Sequence, residues 1–209
     1  MYKDSATVPA ETQRHEEKEE MTAMTNLARH LKLTVDDYLT AEDGADSRHE
    51  YIDGELYAMT GASDRHGLIT LNIASALRPL LRGTPCQLFA NDMKVRLHIQ
   101  NQDIFYYPDL LLSCDQNDRA TYYRTHPCLL VEVLSGSTAR IDRREKFWAY
   151  QTIPSLQEYL LISQTAREVE VYRRARDWAQ EIVTEGSIRL DCLDVELGLE
   201  AIYEDVPLG

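Results

Sequence analysis

The stretches YYPDLLL at 106–112 and LLVEVL at 129–134 decide the predicted fold of this chain. Both are near-continuous apolar runs, which is the pattern of central strands covered on both faces. Each run holds one carboxylate, Asp109 in the first and Glu132 in the second. A carboxylate buried in such a strand must be neutral, paired or bound to a cation. If the strands are neighbours, the two acids can point to the same side and share one metal ion.

The sequence around these strands predicts an α/β or α+β fold. Apolar residues recur at helical spacing over 63–81, and a second helical pattern covers 138–151. Further strands are predicted at 87–97, 105–112, 128–134, 158–162 and 169–172, followed by a hairpin near Gly186. The order β-β-α-β-β-β-α-β-β describes a mixed central sheet with a helix on each face.

The N-terminal part adds a short helix and a hairpin to this core. Thr34 can cap a helix at 33–39, whose first turn is acidic. Asp53-Gly54 separates two alternating segments, 49–52 and 55–59, and favours a tight turn with positive φ at both central positions. Residues 1–25, with the run EEKEE, are predicted to be a mobile leader, and 26–209 a single domain.

The charge distribution limits the classes of partner. A net charge of −13 argues against a polybasic nucleic-acid binder and against a protein held on anionic lipid. The excess of negative charge lies mostly at the two ends of the chain, whereas segments 65–96 and 138–176 have net charges of +4 and +3. The composition therefore permits weak, metal-assisted engagement of a polyanion.

Two further patterns predict a cytoplasmic protein. No stretch approaches the roughly 18 apolar residues that a membrane helix needs, and no secretory signal is present. The cysteines are widely spaced and form no C-x-x-C pair, so we expect reduced, mostly buried thiols; they are Cys86, Cys114, Cys128 and Cys192.

Lys146 is the candidate cation beside the acidic pair. It lies on the helix that follows the Glu132 strand, four residues after Asp142 and on the same helix face. An ordinary surface ion pair would explain this spacing. A catalytic role requires the ammonium group to lean over the strand ends, where it could position a water or offset phosphate charge. For either acid alone, a solvent-facing edge or a salt bridge to arginine is an equal alternative.

Several other polar residues are weaker candidates. Glu50 and Glu55 flank the hairpin turn, and at most one of them is expected to join the same site. His66 opens the first long helix and is interpreted as structural, while Asp92 is either an outer ligand or a strand-edge acid. The nucleotide-binding, zinc-protease and serine-hydrolase motifs are absent.

An ordered set of motifs resembles the PD-(D/E)XK restriction-endonuclease-like superfamily, and more narrowly its Uma-two group, long catalogued as a domain of unknown function. The resemblance runs from 33 to about 174, roughly two-thirds of the chain. Its pieces are LTVDDYL at 33–39, YIDGEL at 51–56, HG at 66–67, YPDL at 107–110, LVEVLSGST at 130–138, DRREK at 142–146 and IPSLQEY at 153–159.

The resemblance implies roles for the candidate residues. Asp109 would be the motif's aspartate and Glu132 its second acid, and together they would bind Mg²⁺, with Mn²⁺ as a possible substitute. The chain departs from the parent motif because Leu134 stands where the lysine is expected. The family pattern points to Lys146 as the substitute, and an early acid, Glu50 or Glu55, would complete the catalytic set.

The resemblance implies a metal-dependent endonuclease that hydrolyses phosphodiester bonds of nucleic acid, with weakly held DNA as the expected substrate. Many nucleases of this fold dimerise, so a homodimer is possible by analogy. The alternative is a catalytically inactive, nuclease-like binding or assembly module. A small-molecule hydrolase that uses the same acids has no positive support.

Overall fold

The computed structural model describes residues 32–136 and 139–208. The predicted leader, 1–25, lies outside the described residues. The described chain is α+β, as predicted, with mixed sheets flanked by helices. Its helices are α1 (Val35–Glu42), α2 (Asp64–Leu77), α3 (Ala139–Ile141), α4 (Phe147–Gln151) and α5 (Leu199–Ile202). Its strands are β1 (His49–Ile52), β2 (Glu55–Ala58), β3 (Gln87–Ala90), β4 (Lys94–Ile99), β5 (Gln102–Tyr106), β6 (Leu110–Ser113), β7 (Tyr123–Arg124), β8 (Leu129–Leu134), β9 (Glu158–Ser163), β10 (Val169–Arg173), β11 (Gln180–Val183), β12 (Ser187–Leu190) and β13 (Val195–Gly198).

The predicted N-terminal helix and hairpin are confirmed. Thr34 caps α1, and its hydroxyl accepts the N–H of Asp37 at 3.2 Å. Strands β1 and β2 form the predicted hairpin, and the turn residues Asp53 and Gly54 have φ of 48° and 96°. Positive φ at both central positions is what a two-residue turn between twisted strands requires.

Two predicted strands are each broken in two. The expected strand 87–97 is interrupted at 91–93, where Asn91 takes a φ of 63°, and it forms β3 and β4. The expected strand 105–112 is interrupted at 107–109 and forms β5 and β6. In both cases the halves pair in different sheets. Apolar content alone could not show these breaks, because each half is as apolar as a continuous buried strand.

The strands form two large sheets and a small one. The six-stranded sheet has the order β11-β10-β9-β8-β6-β3. Strands β8 and β9 are parallel, and every other pair of neighbouring strands in this sheet is antiparallel. The five-stranded sheet has the order β2-β1-β5-β4-β7, and the predicted hairpin forms its edge. The third sheet pairs β12 with β13. The hairpin predicted near Gly186 is present as β12 and β13, but its turn lies at 191–194, and Gly186 itself joins β11 and β12, which belong to different sheets.

Side chains of β8 alternate between two cores. Leu129, Val131 and Val133 face a core closed by α2, α5 and the two-stranded sheet. Leu130 and Leu134 face a second core, closed by α4 and the five-stranded sheet. Because strand side chains alternate with a period of two, Glu132 falls on the same face as Leu130 and Leu134. The expected arrangement of one helix on each face is confirmed, and it directs Glu132 toward the helix that carries Lys146.

The prediction that the cysteines are reduced thiols is wrong. In the structure Cys86 is disulfide-bonded to Cys114, and Cys128 to Cys192. The partners are 28 and 64 residues apart in sequence, so only the pairing of strands brings them together.

None of the helices in the described parts of the chain combines the length and hydrophobicity that crossing a bilayer requires.

An ion pair fastens the π-helical turn between α3 and α4 to β10. Arg143 donates two hydrogen bonds to Glu170 Oε1, at 2.7 and 2.6 Å, and Tyr172 donates one to Oε2 at 2.7 Å. Burial opposes ionisation of this carboxyl, but these donors outweigh it and lower the pKa of Glu170 below its usual 4.5. The pair therefore stabilises the fold above that pH and loses its effect as the pH falls through the depressed pKa.

We expect Glu170→Gln to flatten the dependence of the unfolding free energy on pH between about pH 5 and pH 3. The variant has no carboxyl group at position 170 that could take up a proton in this range. Urea denaturation at several pH values measures this. Glu200→Gln, which changes an exposed acid on α5, is the matched control and should keep the wild-type slope. A Glu170→Gln slope as steep as that of the wild type would contradict the role of this pair.

Candidate active site

Asp109 lies one residue before β6, beside the half of β8 that carries Glu132. The antiparallel register of β6 and β8 ends with Leu110 opposite Val131, so Asp109 precedes the last pair of this ladder and Glu132 follows it. Asp109 Oδ2 also accepts the N–H of Val133 at 2.6 Å, which holds the aspartate at this position. The strand pairing thus brings Asp109 near Glu132, close enough for the charge of Asp109 to raise the pKa of that carboxyl.

Lys146 reaches into the sheet and contacts three carboxylates. Its Nζ lies 3.0 Å from Glu132 Oε1, 2.9 Å from Glu50 Oε1 and 3.5 Å from Asp142 Oδ1. The lysine and Asp142 are only 5% and 1% exposed, so the alternative of an ordinary surface pair does not hold. The ammonium group occupies the place next to Glu132, although the chain has Leu134 at the position where the motif's lysine is expected, and Leu134 packs in the core.

A π-helical turn, Asp142–Lys146, presents both of these residues to the sheet. Such turns are rare and occur often at functional sites. Tyr159 on β9 donates a hydrogen bond to the carbonyl oxygen of Asp142 at 3.2 Å, and Tyr150 on α4 donates one to Glu132 Oε1 at 3.0 Å. Our sequence reasoning missed Tyr150. Its spacing of four from Lys146 on one helix face was the available signal.

Of the two early acids, the structure brings Glu50 to the cluster. Besides its contact with Lys146, Glu50 Oε1 accepts the N–H of Tyr107 at 3.2 Å, so β1 is tied to the segment that leads to Asp109. Glu55 lies on β2, all of whose residues are exposed, and it accepts the hydroxyl of Tyr57 at 2.8 Å. We therefore keep Glu50 as the early acid of the candidate site.

His66 and Asp92 differ in their relation to the acids. His66 Nε2 lies 3.1 Å from Asp109 Oδ2, so the histidine contacts the candidate metal ligand directly. Burial works against the charged imidazole, but the hydrogen bond and the negative charge of Asp109 outweigh it and raise the pKa of His66. Asp92 is exposed and accepts a hydrogen bond from Arg48 Nε at 3.2 Å. The strand-edge interpretation of Asp92 therefore agrees with its position.

Burial and like charges dominate the electrostatics of the cluster. Burial raises the pKa of Glu132 well above its usual value, Asp142, Asp109 and Glu50 raise it further, and Lys146 opposes them. For Lys146 burial favours the neutral amine, but the surrounding carboxylates outweigh it and raise the pKa. Acids thus outnumber cationic groups here, which is a favourable environment for an added cation.

The donor set fits a hard divalent ion that is held by few protein ligands. Mg²⁺ prefers oxygen and is commonly bound through one or two carboxylates, with waters and substrate phosphate oxygens as its other ligands. Asp109 and Glu132 are such a pair. Within the described residues, the triad of potential ligand atoms lying within 4.8 Å of one another consists of cysteines, not of these acids. A two-carboxylate site is therefore the arrangement that the acids fit.

A family model decides the relationship of the chain to known proteins. The model of the Uma2 family, described as "Putative restriction endonuclease", matches residues 35–203. The chain belongs to the Uma2 family. The match spans every residue of the cluster described above, so the family relationship and the geometry concern the same part of the molecule.

Relatives and a solved structure agree with this family. Two uncharacterized Synechocystis proteins, slr1290 and sll1609, are each 37% identical to the chain; the matches cover 82% and 73% of this chain and 92% and 86% of theirs. The crystal structure of a putative nuclease of DUF820 from Anabaena variabilis superposes with a TM-score of 0.64 at 16% identity, covering 81% of this chain and 97% of that one. At that identity the likeness concerns the fold, and it confirms the predicted nuclease-like architecture.

Proposed function

We propose that this Uma2 protein is a Mg²⁺-dependent endonuclease that hydrolyses phosphodiester bonds. One observation carries the proposal: Lys146, on a helix, contacts Glu132 at 3.0 Å, while Asp109 stands just before the strand that pairs with the strand of that glutamate. Two adjacent carboxylates and an ammonium group are the parts that metal-assisted phosphodiester hydrolysis needs. The family description and the nuclease-like fold support the same reaction class.

Each residue of the cluster has a separate task in this proposal. Asp109 and Glu132 would hold the metal ion, which when bound supplies a polarised phosphate and an activated water. Lys146 orients the attacking water or stabilises the negative charge that develops on the phosphate. Glu50 and Tyr150 keep Lys146 and Glu132 in place through their contacts of 2.9 and 3.0 Å.

The expected substrate is DNA, held weakly. Arg140 and Arg144 are exposed beside the turn that carries Lys146, where they can meet phosphate groups. The whole chain nevertheless has a net charge of −13, so few counterions should be released on binding and affinity should depend only modestly on salt. A homodimer remains part of the proposal, and the exposed edge strand β2 offers a surface for it.

Nicking of supercoiled plasmid tests the proposed reaction. We expect the purified wild type to convert the plasmid to the open circle with Mg²⁺ or Mn²⁺ and not with a chelator. Asp109→Asn should lower the rate by about 10²-fold or more, because an amide replaces one anionic metal ligand and leaves the transition-state charge less well stabilised.

Glu200→Gln serves again as the control, since it removes an exposed acid from α5, a helix on the opposite face of the sheet from Lys146. Isothermal titration with Mn²⁺ gives a second measurement on the same proteins. Wild-type protein that neither nicks DNA nor binds Mn²⁺ would refute the enzyme proposal and favour the inactive binding or assembly module. Equal activity of the wild type and Asp109→Asn would refute the assigned site.

A further inference from the structure

The cysteines of the chain, although far apart in sequence, meet at one end of the six-stranded sheet. Cys86 precedes β3, Cys114 follows β6 and Cys128 precedes β8, whereas Cys192 lies in the turn between β12 and β13. Each therefore comes from a different segment. The convergence involves every cysteine of the sequence.

Strand pairing explains the convergence. The antiparallel register of β3 and β6 pairs Gln87 with Ser113, so Cys86 and Cys114 are opposite each other one residue further on. The N–H of Cys128 donates to the carbonyl oxygen of Leu112 at 2.8 Å, which brings β8 alongside. These contacts hold three of the cysteines in the frame of the sheet.

The fourth cysteine is held in place by a buried acid. The N–H of Cys192 donates to Glu158 Oε2 at 3.2 Å, and Glu158 stands at the start of β9, the neighbour of β8. Arg173 pairs with the other oxygen of that acid at 3.2 Å. The turn between β12 and β13 is thus fixed above the sheet end, with its sulfur directed at Cys128.

The unbonded sulfurs of Cys114 and Cys128 already lie at the spacing of a metal tetrahedron. Cys114 Sγ and Cys128 Sγ, which belong to different disulfides, are 3.8 Å apart. The sulfurs of Cys114, Cys128 and Cys192 all lie within 4.8 Å of one another, and Cys86 is bonded to Cys114. A tetrahedral zinc site with Zn–S bonds of about 2.3 Å has sulfur–sulfur edges of about 3.8 Å. Reduction of both disulfides would let the bonded sulfurs separate to this spacing, and Cys86 would then join the other three around one ion.

We propose that, when its disulfides are reduced, this cluster binds one Zn²⁺ through the thiolates of Cys86, Cys114, Cys128 and Cys192. A dithiol reductant supplies two electrons and two protons to each disulfide and is itself oxidised to a disulfide. The resulting thiols lose their protons as they bind zinc, because the thiolate is the ligand. With all positions filled by protein, the site is structural rather than catalytic.

The cysteine cluster is separate from the candidate active site. Asp109 precedes β6 and Cys114 follows it, while Cys128 precedes β8 and Glu132 lies in its second half. The two sites thus occupy opposite ends of the same strand pair, about 15 Å apart at about 3.3 Å per residue. They also differ in chemistry, since thiolates select soft ions such as Zn²⁺ and carboxylates select Mg²⁺. Occupation of one site should not require the other.

Titration of the reduced, metal-free protein with Co²⁺ under anaerobic conditions tests the proposal. We expect the thiolate-to-cobalt charge-transfer absorption to saturate at about one equivalent per chain and to disappear when Zn²⁺ displaces the cobalt. Zinc should also slow the reaction of the cysteines with a thiol reagent by about tenfold or more, because bound thiolates are protected.

Variants locate the site. Cys128→Ser and Cys192→Ser, which each leave three thiolates, should lower the charge-transfer absorption by about a quarter or more, whereas Asp109→Asn, which changes the other metal site, should keep it. The titration of the wild type does not depend on whether the cysteine variants fold. Absence of the band from reduced wild-type protein, equal thiol reactivity with and without zinc, or a band of unchanged intensity in Cys128→Ser would each overturn the proposal.

Discussion

Lys146→Met is expected to lower the free energy of unfolding by about 3–5 kcal/mol and to remove nicking activity. The Lys146 side chain is 7% exposed, and its ammonium nitrogen lies within 3.5 Å of carboxylate oxygens of Glu50, Glu132 and Asp142. Methionine fills a similar volume but leaves these acids without their cation in a buried place. Removing one partner of a buried ion pair is costly because the remaining charge is left uncompensated.

A double variant separates the structural from the catalytic part of this effect. Lys146→Met combined with Glu132→Gln removes one of the orphaned charges, so it should recover part of the lost stability while nicking stays absent. Urea denaturation measures the first quantity and the plasmid assay the second. If Lys146→Met were as stable as the wild type, the ammonium group could not be the cation that neutralises the cluster.

Glu132→Gln is expected to lower the nicking rate by about 10²-fold or more, with a free energy of unfolding equal to or above that of the wild type. Burial raises the pKa of Glu132, which means that keeping it ionised costs stability at neutral pH. The neutral amide avoids that cost and can still accept a hydrogen bond from Tyr150, which is 3.0 Å from Oε1 in the wild type. It is, however, a poor ligand for Mg²⁺ compared with a carboxylate.

The two single variants thus have opposite expected effects on stability and the same effect on activity. This pattern distinguishes loss of function from loss of fold. Glu200→Gln provides the reference, because its exposed side chain belongs to α5, on the opposite face of the sheet from Lys146. Full activity of Glu132→Gln at wild-type stability would show that this acid does not hold the metal ion.

Much of the core and the acidic pair could be predicted from the sequence. The apolar runs around Asp109 and Glu132 predicted buried strands, and their breaks at 91–93 and 107–109 were missed because short apolar strands look alike whether joined or separate. The second large sheet was missed for the same reason. Lys146 could be placed on a helix, but the direction of its side chain depended on a π-helical turn that has no clear sequence signal.

The contacts between side chains that are distant in sequence could not be predicted. Glu50 rather than Glu55 meets Lys146, because β1 pairs with β5 and lies against the segment before Asp109, whereas β2 is an exposed edge. His66 was interpreted as structural, yet its ring contacts Asp109. The cysteines were interpreted as separate thiols, although strand pairing gathers all of them at one place.

The sequence by itself determined the kinds of element, the burial of Glu132 within an apolar strand, and the resemblance to a nuclease-like family. These features follow from local periodicity and from the cost of burying charge, both of which can be evaluated along the chain. Only the tertiary structure decided which acid meets the lysine and which cysteines meet each other. Those contacts join residues from 14 to 96 positions apart, and the pairing of strands and the docking of helices bring them together.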